Sequence, residues 1–364
     1  MHYFFEKTKA WYEKYDRPLS SLSLIGGFVF DALTLKRVDS LWENLWVVVH
    51  LVVVGAVIML LNRDEEERVK GVNVAEGHFW LVNILQFFFG GLLSTFIVFY
   101  FRSTTLLSTW PFILVLVFAF WANESLKRHY ARLVFQTGLF FLSLFAFSIF
   151  AVPVFVHKIG PLMFVLSGGV SLLVMFGFLF ALRFISKAGF IKEGKWLYVV
   201  ILGIFSIFNV LYFTNLIPPL PLSLKDAGVY HSIVRNDQGD YGVSYEDYGW
   251  KGFFKIYDDF HVVDSDTVYI YSSVFSPSKL DIEIVHNWQH YDEVNKTWST
   301  VNKVYLPVVG GRADGFRTYS LGNGLESGKW RVNVETMNGN IIGRITFNLV
   351  YGGPALTLSQ KTNH

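Results

Sequence analysis

Four arginines in the last third of the chain, Arg312, Arg317, Arg331 and Arg344, are the side chains best suited to recognising something. A guanidinium is a planar fork of N–H donors that matches a carboxylate or phosphate with two parallel hydrogen bonds. Together with Trp298, Tyr319 and Trp330 they could form a glycan-binding platform. The competing reading puts Trp330 in a core and pairs the arginines with acids across strands. His286, Trp288 and His290 alternate and so share one strand face. Two histidines four residues apart on a strand lie roughly 13 Å apart, too far to share a metal, so Trp288 is expected in the core and both histidines at an edge or on the surface. The candidate binding residues are therefore Trp298, Arg312, Arg317, Tyr319, Arg331, His286 and His290.

Other chemistries lack their residues. The chain has no cysteine, which removes thiolate nucleophiles, disulfides and Cys-ligated metals. Neither a Gly-rich phosphate loop, a nucleophile elbow nor a metalloprotease helix is present. The acids Asp258, Asp259, Asp264 and Asp266 lack calcium-loop spacing and read as a solvated loop. No catalytic residue, metal or cofactor is expected, and the protein is not read as an enzyme. The net charge of +2 is too small to suggest a nucleic-acid partner.

A second group of polar residues, Asp31, His50, Asn83, Gln86, Gln136 and Asn209, falls inside long apolar runs. Polar groups are costly in hydrocarbon and tend to face partners there. Asp31 and His50 on adjacent helices could form a proton-responsive pair. Alternatively, Asp31 orders the turn leading to Arg37 near the outer interface. A transporter would be expected to show paired broken helices or an internal repeat, and neither is visible.

The elements that must carry these residues divide the chain in two. Of 364 residues, 52% are hydrophobic and 16% charged, where soluble domains have nearer a quarter charged. Up to Leu222 there are 18 basic and 13 acidic residues; after it, 13 and 16. A membrane span needs about 20 mostly apolar residues. Seven stretches qualify: 19–35, 41–61, 79–101, 105–122, 131–156, 161–184 and 196–217. The first is short and contains Asp31, so a re-entrant or interfacial helix competes there.

Positive flanks stay cytoplasmic. One set of connections holds Arg63, Arg68, Lys70, Lys127, Arg128, Arg132, Arg183, Lys187, Lys192 and Lys195. The connections after the third and fifth stretches hold Arg102 and Lys158. This places the N-terminus inside the cell and the C-terminal domain outside. Trp42, Trp46, Trp80, Trp110, Trp121 and Trp196 cluster near span ends, as interfacial anchors do.

Residues 218–222, Pro-Pro-Leu-Pro-Leu, form a stiff junction. Beyond it the period changes to two. Asp266–Phe275, Leu280–Trp288, Val301–Val309, Gly315–Leu321, Lys329–Thr336 and Ile341–Val350 read as strands from Gly252 onward, the last two joined by an Asn338-Gly339 hairpin turn. The expected architecture is an all-α membrane bundle of about seven transmembrane helices over residues 1–217, an all-β sandwich-like extracytoplasmic domain over 223–353, and a tail at 354–364.

His286-Asn287-Trp288, Gly315-Phe316-Arg317-Thr318-Tyr319-Ser320 and Gly328-Lys329-Trp330-Arg331-Val332, followed by Gly339, Gly343-Arg344 and Phe347, resemble an uncharacterised bacterial family. It is catalogued as domain of unknown function 2914, and the likeness covers about the last 70 residues of the domain. The proline junction and multi-span region resemble the long, membrane-bound members of that family. The resemblance implies a multi-pass protein of the bacterial inner membrane with a small extracytoplasmic β domain, and it brings no activity or catalytic residues. The expected partners are the bilayer and an envelope protein, glycan or lipid head group, with a homo-oligomer possible. A small-molecule or ion transporter or channel with the β domain as a cap is the alternative.

Overall fold

A computed structural model describes residues 26, 28–31, 33, 41–71, 75–103, 106–125, 132–217, 222–236, 240–247, 257–263, 267–276, 282–309, 315–352 and 358–363. Most of the first apolar stretch, residues 218–221 of the junction, Arg312, Asp264 and Asp266 lie outside these residues. The chain divides into two compact units, one essentially helical and one β-rich.

The helical unit contains α1 (Leu41–Val69), α2 (Ala75–Ser103), α3 (Leu106–Ser125), α4 (Leu133–Val156), α5 (Pro161–Ile185) and α6 (Lys187–Phe213). Five of these are long and apolar enough to cross a membrane, and among the described side chains α3 has an apolar stretch over Ile113–Asn123. Pro161 opens α5, where its missing N–H would have had no intrahelical partner. The first turn of α4 is satisfied from outside: Val134 N–H donates to the Glu193 carboxylate at 3.0 Å. α4 packs against α1, α5 and α6 and is the most buried of the five. Its Phe145 stacks on Phe208 of α6 at 4.8 Å, and Phe150 meets Tyr100 of α2 at 4.6 Å.

Small residues allow close approach. A Cβ on Gly168 would fall 2.9 Å from Phe205 and one on Gly138 the same distance from Val200. Leu173, Phe180, Phe184, Ile191 and Val210 point outward and are more than half exposed. In water such an apolar surface would be a liability, but against lipid it carries no penalty.

Among the described residues the β unit has eleven strands in three sheets, ordered β1-β5-β8, β4-β10-β9-β6-β7 and β11-β3-β2. Six strands coincide with the runs read from sequence: β5 (Val268–Phe275), β6 (Ile282–Asp292), β7 (Thr297–Val308), β8 (Phe316–Gly322), β9 (Gly328–Thr336) and β10 (Ile341–Tyr351). β4 (Asp258–Val262) runs parallel to β10; the other pairs of the five-stranded sheet are antiparallel. The inner faces of that sheet and of β1-β5-β8 share one core, including Ile270, Val274, Ile284, Trp288, Trp330, Val332, Val334 and Phe347.

The structure differs from the sequence reading at both ends. Residues before Gly252 already form β1 (Ser223–Tyr230), β2 (Ser232–Arg235) and β3 (Tyr241–Glu246). The segment read as a tail contains β11 (Leu358–Asn363), which pairs antiparallel with β3. This extra sheet sits against the outer side of β1-β5-β8 through a tyrosine-rich cluster of Tyr230, Tyr241, Tyr245, Tyr269, Tyr271 and Val243.

A candidate anion-binding face on the five-stranded sheet

Period-two alternation gives the five-stranded sheet two unlike faces. Along β9, Trp330, Val332 and Val334 enter the core, so Arg331, Asn333 and Glu335 must point to the opposite side. Register then decides their company. Arg331 sits opposite Gln289 of β6 and Thr346 of β10, and Asn333 sits opposite Asn287 of β6 and Arg344 of β10. Arg331 and Arg344 are thus diagonal neighbours, a relation in which long side chains meet.

A continuous polar network results. Gln289 Oε1 accepts from Arg331 Nε at 2.6 Å, and Asn333 Oδ1 accepts from Arg344 Nε at 2.6 Å. Glu335 is buried, and its Oε1 accepts from Asn333 Nδ2 at 2.9 Å and Asn287 Nδ2 at 3.1 Å. Thr300 closes the row on β7 by donating to Asn287 Oδ1. The Arg331 guanidinium lies 4.3 Å from the centre of the Trp298 ring, and Tyr291 and Tyr257 pack around that ring at 5.0 and 6.4 Å. Stacking of this kind holds a guanidinium in one orientation.

Both guanidiniums are perturbed. Burial, and then the charge of Arg344, pull the Arg331 pKa below its ordinary value; burial does the same to Arg344. Arginine nonetheless stays charged at any physiological pH. The face therefore holds two cations close together, and its one buried carboxylate is engaged by amides.

The candidate residues do not form one platform. Arg331 and Trp298 belong to this face, with Arg344 beside them. Trp330 is 2% exposed and its Nε1–H donates to Glu326 O at 2.7 Å, so it is core. Arg317 and Tyr319 are on the outer side of β1-β5-β8. Arg317 donates to Asp240 at 2.9 Å with both side chains mostly buried, which makes it a brace between β8 and the start of β3. Tyr319 packs edge-on to Tyr241 and tilted against Tyr269. His290 is partly exposed, with its ring 4.7 Å from that of Trp330.

His286 is not at an edge or on the surface: it is 0% exposed. β6 runs between β7 and β9, and its inner face is covered by β5 and β8, so an inward polar residue has no route to water. Its needs are met internally. Nε2 lies 2.8 Å from Ser272 Oγ and Nδ1 lies 2.8 Å from Ser320 Oγ, which also accepts from Trp288 Nε1 at 3.0 Å. A one-way chain then has Ser320 O–H donate to Nδ1, Nε2–H donate to Ser272, and Ser272 donate to Thr318. Burial lowers the His286 pKa to about 4, so the ring is neutral. Sealed in this way, the Ser–His contact is structural and not a nucleophile pair.

In the helical unit, His50 Nδ1 contacts Trp46 O at 2.9 Å and its ring packs on Phe88. Asp31 lies within electrostatic reach of His50 and against Ser94, although the buried Ser94 hydroxyl makes no hydrogen bond of good geometry. Gln86 is buried, Asn83 is half-buried, and Asn123 donates to Gln86 O at 3.2 Å. Gln136 accepts from Asn62 at 2.7 Å between α4 and α1, and Asn209 donates to Phe205 O in its own helix. No group of three His, Asp or Glu with metal-binding geometry occurs among the described residues.

The residues that build the network around Arg331 and Arg344, namely Gln289, Asn333, Glu335 and Tyr291, are missed by a search for individual residue types. Their signal is the outward register of β9 combined with its pairing to β6.

No curated protein matches this chain. Among solved structures, the Pseudomonas fluorescens alkylpurine DNA glycosylase AlkC bound to DNA containing an abasic site analog is similar at 10% identity and a TM-score of 0.22. That match spans 81% of this chain and 77% of the other, and at this score it says nothing about fold or function. A family model does match: residues 281–349, the stretch that contributes β6 to β10 and both arginines of the polar face, carry the domain described as a protein of unknown function (DUF2914).

Proposed function

We propose that this is a multi-pass protein of a bacterial inner membrane, with about seven spans, which presents a β-sandwich domain for binding on the non-cytoplasmic side. The polar face around Arg331 and Arg344 carries this reading, because recognition residues there are held by a hydrogen-bonded network and not left on flexible loops. The ligand is an envelope component: a glycan, a partner protein or a lipid head group. No catalytic role is assigned to any residue.

The orientation rests on loop charge. Counting Lys36 and Arg37 with Arg102 and Lys158 leaves ten basic residues on the side assigned to the cytoplasm against four on the other. A transporter would instead work through the bundle. Its polar residues support that rival less, because Gln136 and Asn123 bond between helix neighbours and Asn209 bonds within its own helix.

Reporters fused after Asp64, Thr104 and Gly352 test the display. The first should report the cytoplasm and the other two the outside. A cytoplasmic signal after Gly352 would overturn the proposal.

A further inference from the structure

The two arginines of the polar face differ from the other well-placed arginine of the domain. Arg317 is matched by Asp240 at 2.9 Å. Arg331 and Arg344 each spend Nε on a neutral amide oxygen, and neither pairs with a carboxylate among the described residues. Glu335 lies on the same strand face, yet its Oε1 is taken by Asn287 and Asn333. The amides therefore fix both guanidiniums by their inner edges; no carboxylate among the described residues bonds their outer N–H groups, although the charge of Glu335 acts on both. Two guanidiniums beside a single buried carboxylate still repel each other and leave a net positive charge, which a further negative group would balance. Such local cost tends to be retained where a site needs it.

The geometry suits a ligand of one kind. A guanidinium edge offers parallel donors to a carboxylate or phosphate oxygen pair. Two such edges on neighbouring strands can grip one oxyanion from both sides. Trp298 fixes Arg331 by stacking at 4.3 Å, so little side-chain entropy remains to be lost on binding. We propose that Arg331 and Arg344 jointly bind one oxyanion group, a carboxylate or phosphate, of the ligand that the face receives, with Gln289, Asn333 and Trp298 as positioning residues. This inference rests on the binding role proposed for the face.

The test uses the full chain in neutral detergent at fixed ionic strength. Inorganic phosphate and glucuronate are titrated, with an N-acetylglucosamine oligomer as the neutral probe. At least one oxyanion should bind, and Arg331→Gln or Arg344→Gln should weaken it tenfold or more. Without ligand, Arg344→Gln should melt no lower than the wild type, because glutamine can still reach Asn333 while the repulsion is gone. A merely structural arginine would behave oppositely, and a clear drop in melting temperature would overturn the proposal. It is also overturned if neither oxyanion binds, or if binding survives in the double variant. Binding of the neutral oligomer that both variants leave intact would remove the oxyanion but keep the binding face, whereas silence from all three probes would count against both.

Discussion

Trp330→Ala is expected to destabilise the β unit by about 3–5 kcal/mol, the usual cost of truncating a fully buried large aromatic. Trp330 is 2% exposed and meets Trp288 edge to face, with ring centres 6.5 Å apart. Val332 and Val334, the next inward residues of β9, are wholly buried, so no flexible surface can collapse into the space left behind. Glu326 O loses its indole donor as well. Native domains are stable by about 5–15 kcal/mol, so this one substitution removes a large share of the total. Protease resistance of the full chain in detergent, followed against denaturant, reads the effect. A shift below about 1 kcal/mol would show that the Trp288–Trp330 contact is not the centre of the core.

The second large effect is on pH dependence. His286 is neutral in the folded state, with its pKa lowered to about 4 by burial, while in the unfolded chain it titrates near 6.5. Above the unfolded value both states are neutral and the residue adds no pH dependence. As pH falls from about 6.5 towards 4, only the unfolded chain takes up the proton, so stability is lost across that window. The span corresponds to roughly 3 kcal/mol at 1.36 kcal/mol per unit. His286→Gln keeps a hydrogen-bonding side chain but cannot titrate. Its loss of stability between pH 7 and pH 4.5, a window that covers most of that span, should be smaller than the wild type's by about 2 kcal/mol. Equal losses in the two proteins would mean that His286 is protonated in the fold or reaches solvent.

Much of the β unit was legible because the strands from β5 to β10 are rich in β-branched and aromatic residues, several of them alternate, and turn residues separate them. The exceptions have physical reasons. β1 (Ser-Leu-Lys-Asp-Ala-Gly-Val-Tyr) mixes charge and glycine without a clean period, and β11 (Leu-Ser-Gln-Lys-Thr-Asn) is short and polar, so neither stands out by pattern. They become strands because β5 and β3 offer edges to pair with. That is tertiary context, which overrides weak local preference.

Arg331 could be picked out as a candidate by its residue type, and its neighbours on the sheet could not. Their meeting depends on cross-strand register, and β6 and β7 shift register between Trp288 and Gln289. A one-residue slip reverses every side chain of a strand. Sequence alternation alone could therefore place His286 with Trp288 but not say that the face they share is covered. Arg317 shows the same limit: its partner Asp240 is 77 positions away.

The central claim, that the polar face of the five-stranded sheet is presented outside the cell, has a direct test because the chain contains no cysteine. Lys303, opposite Asn287 on β7, is exposed, so Lys303→Cys adds a single thiol to the rim of that face. Asp64→Cys does the same at the end of α1 that is assigned to the cytoplasm. With a membrane-impermeant maleimide on intact cells, the account predicts labelling at position 303 and none at position 64 until the membrane is opened. Labelling at position 64 with position 303 silent until permeabilisation would contradict it.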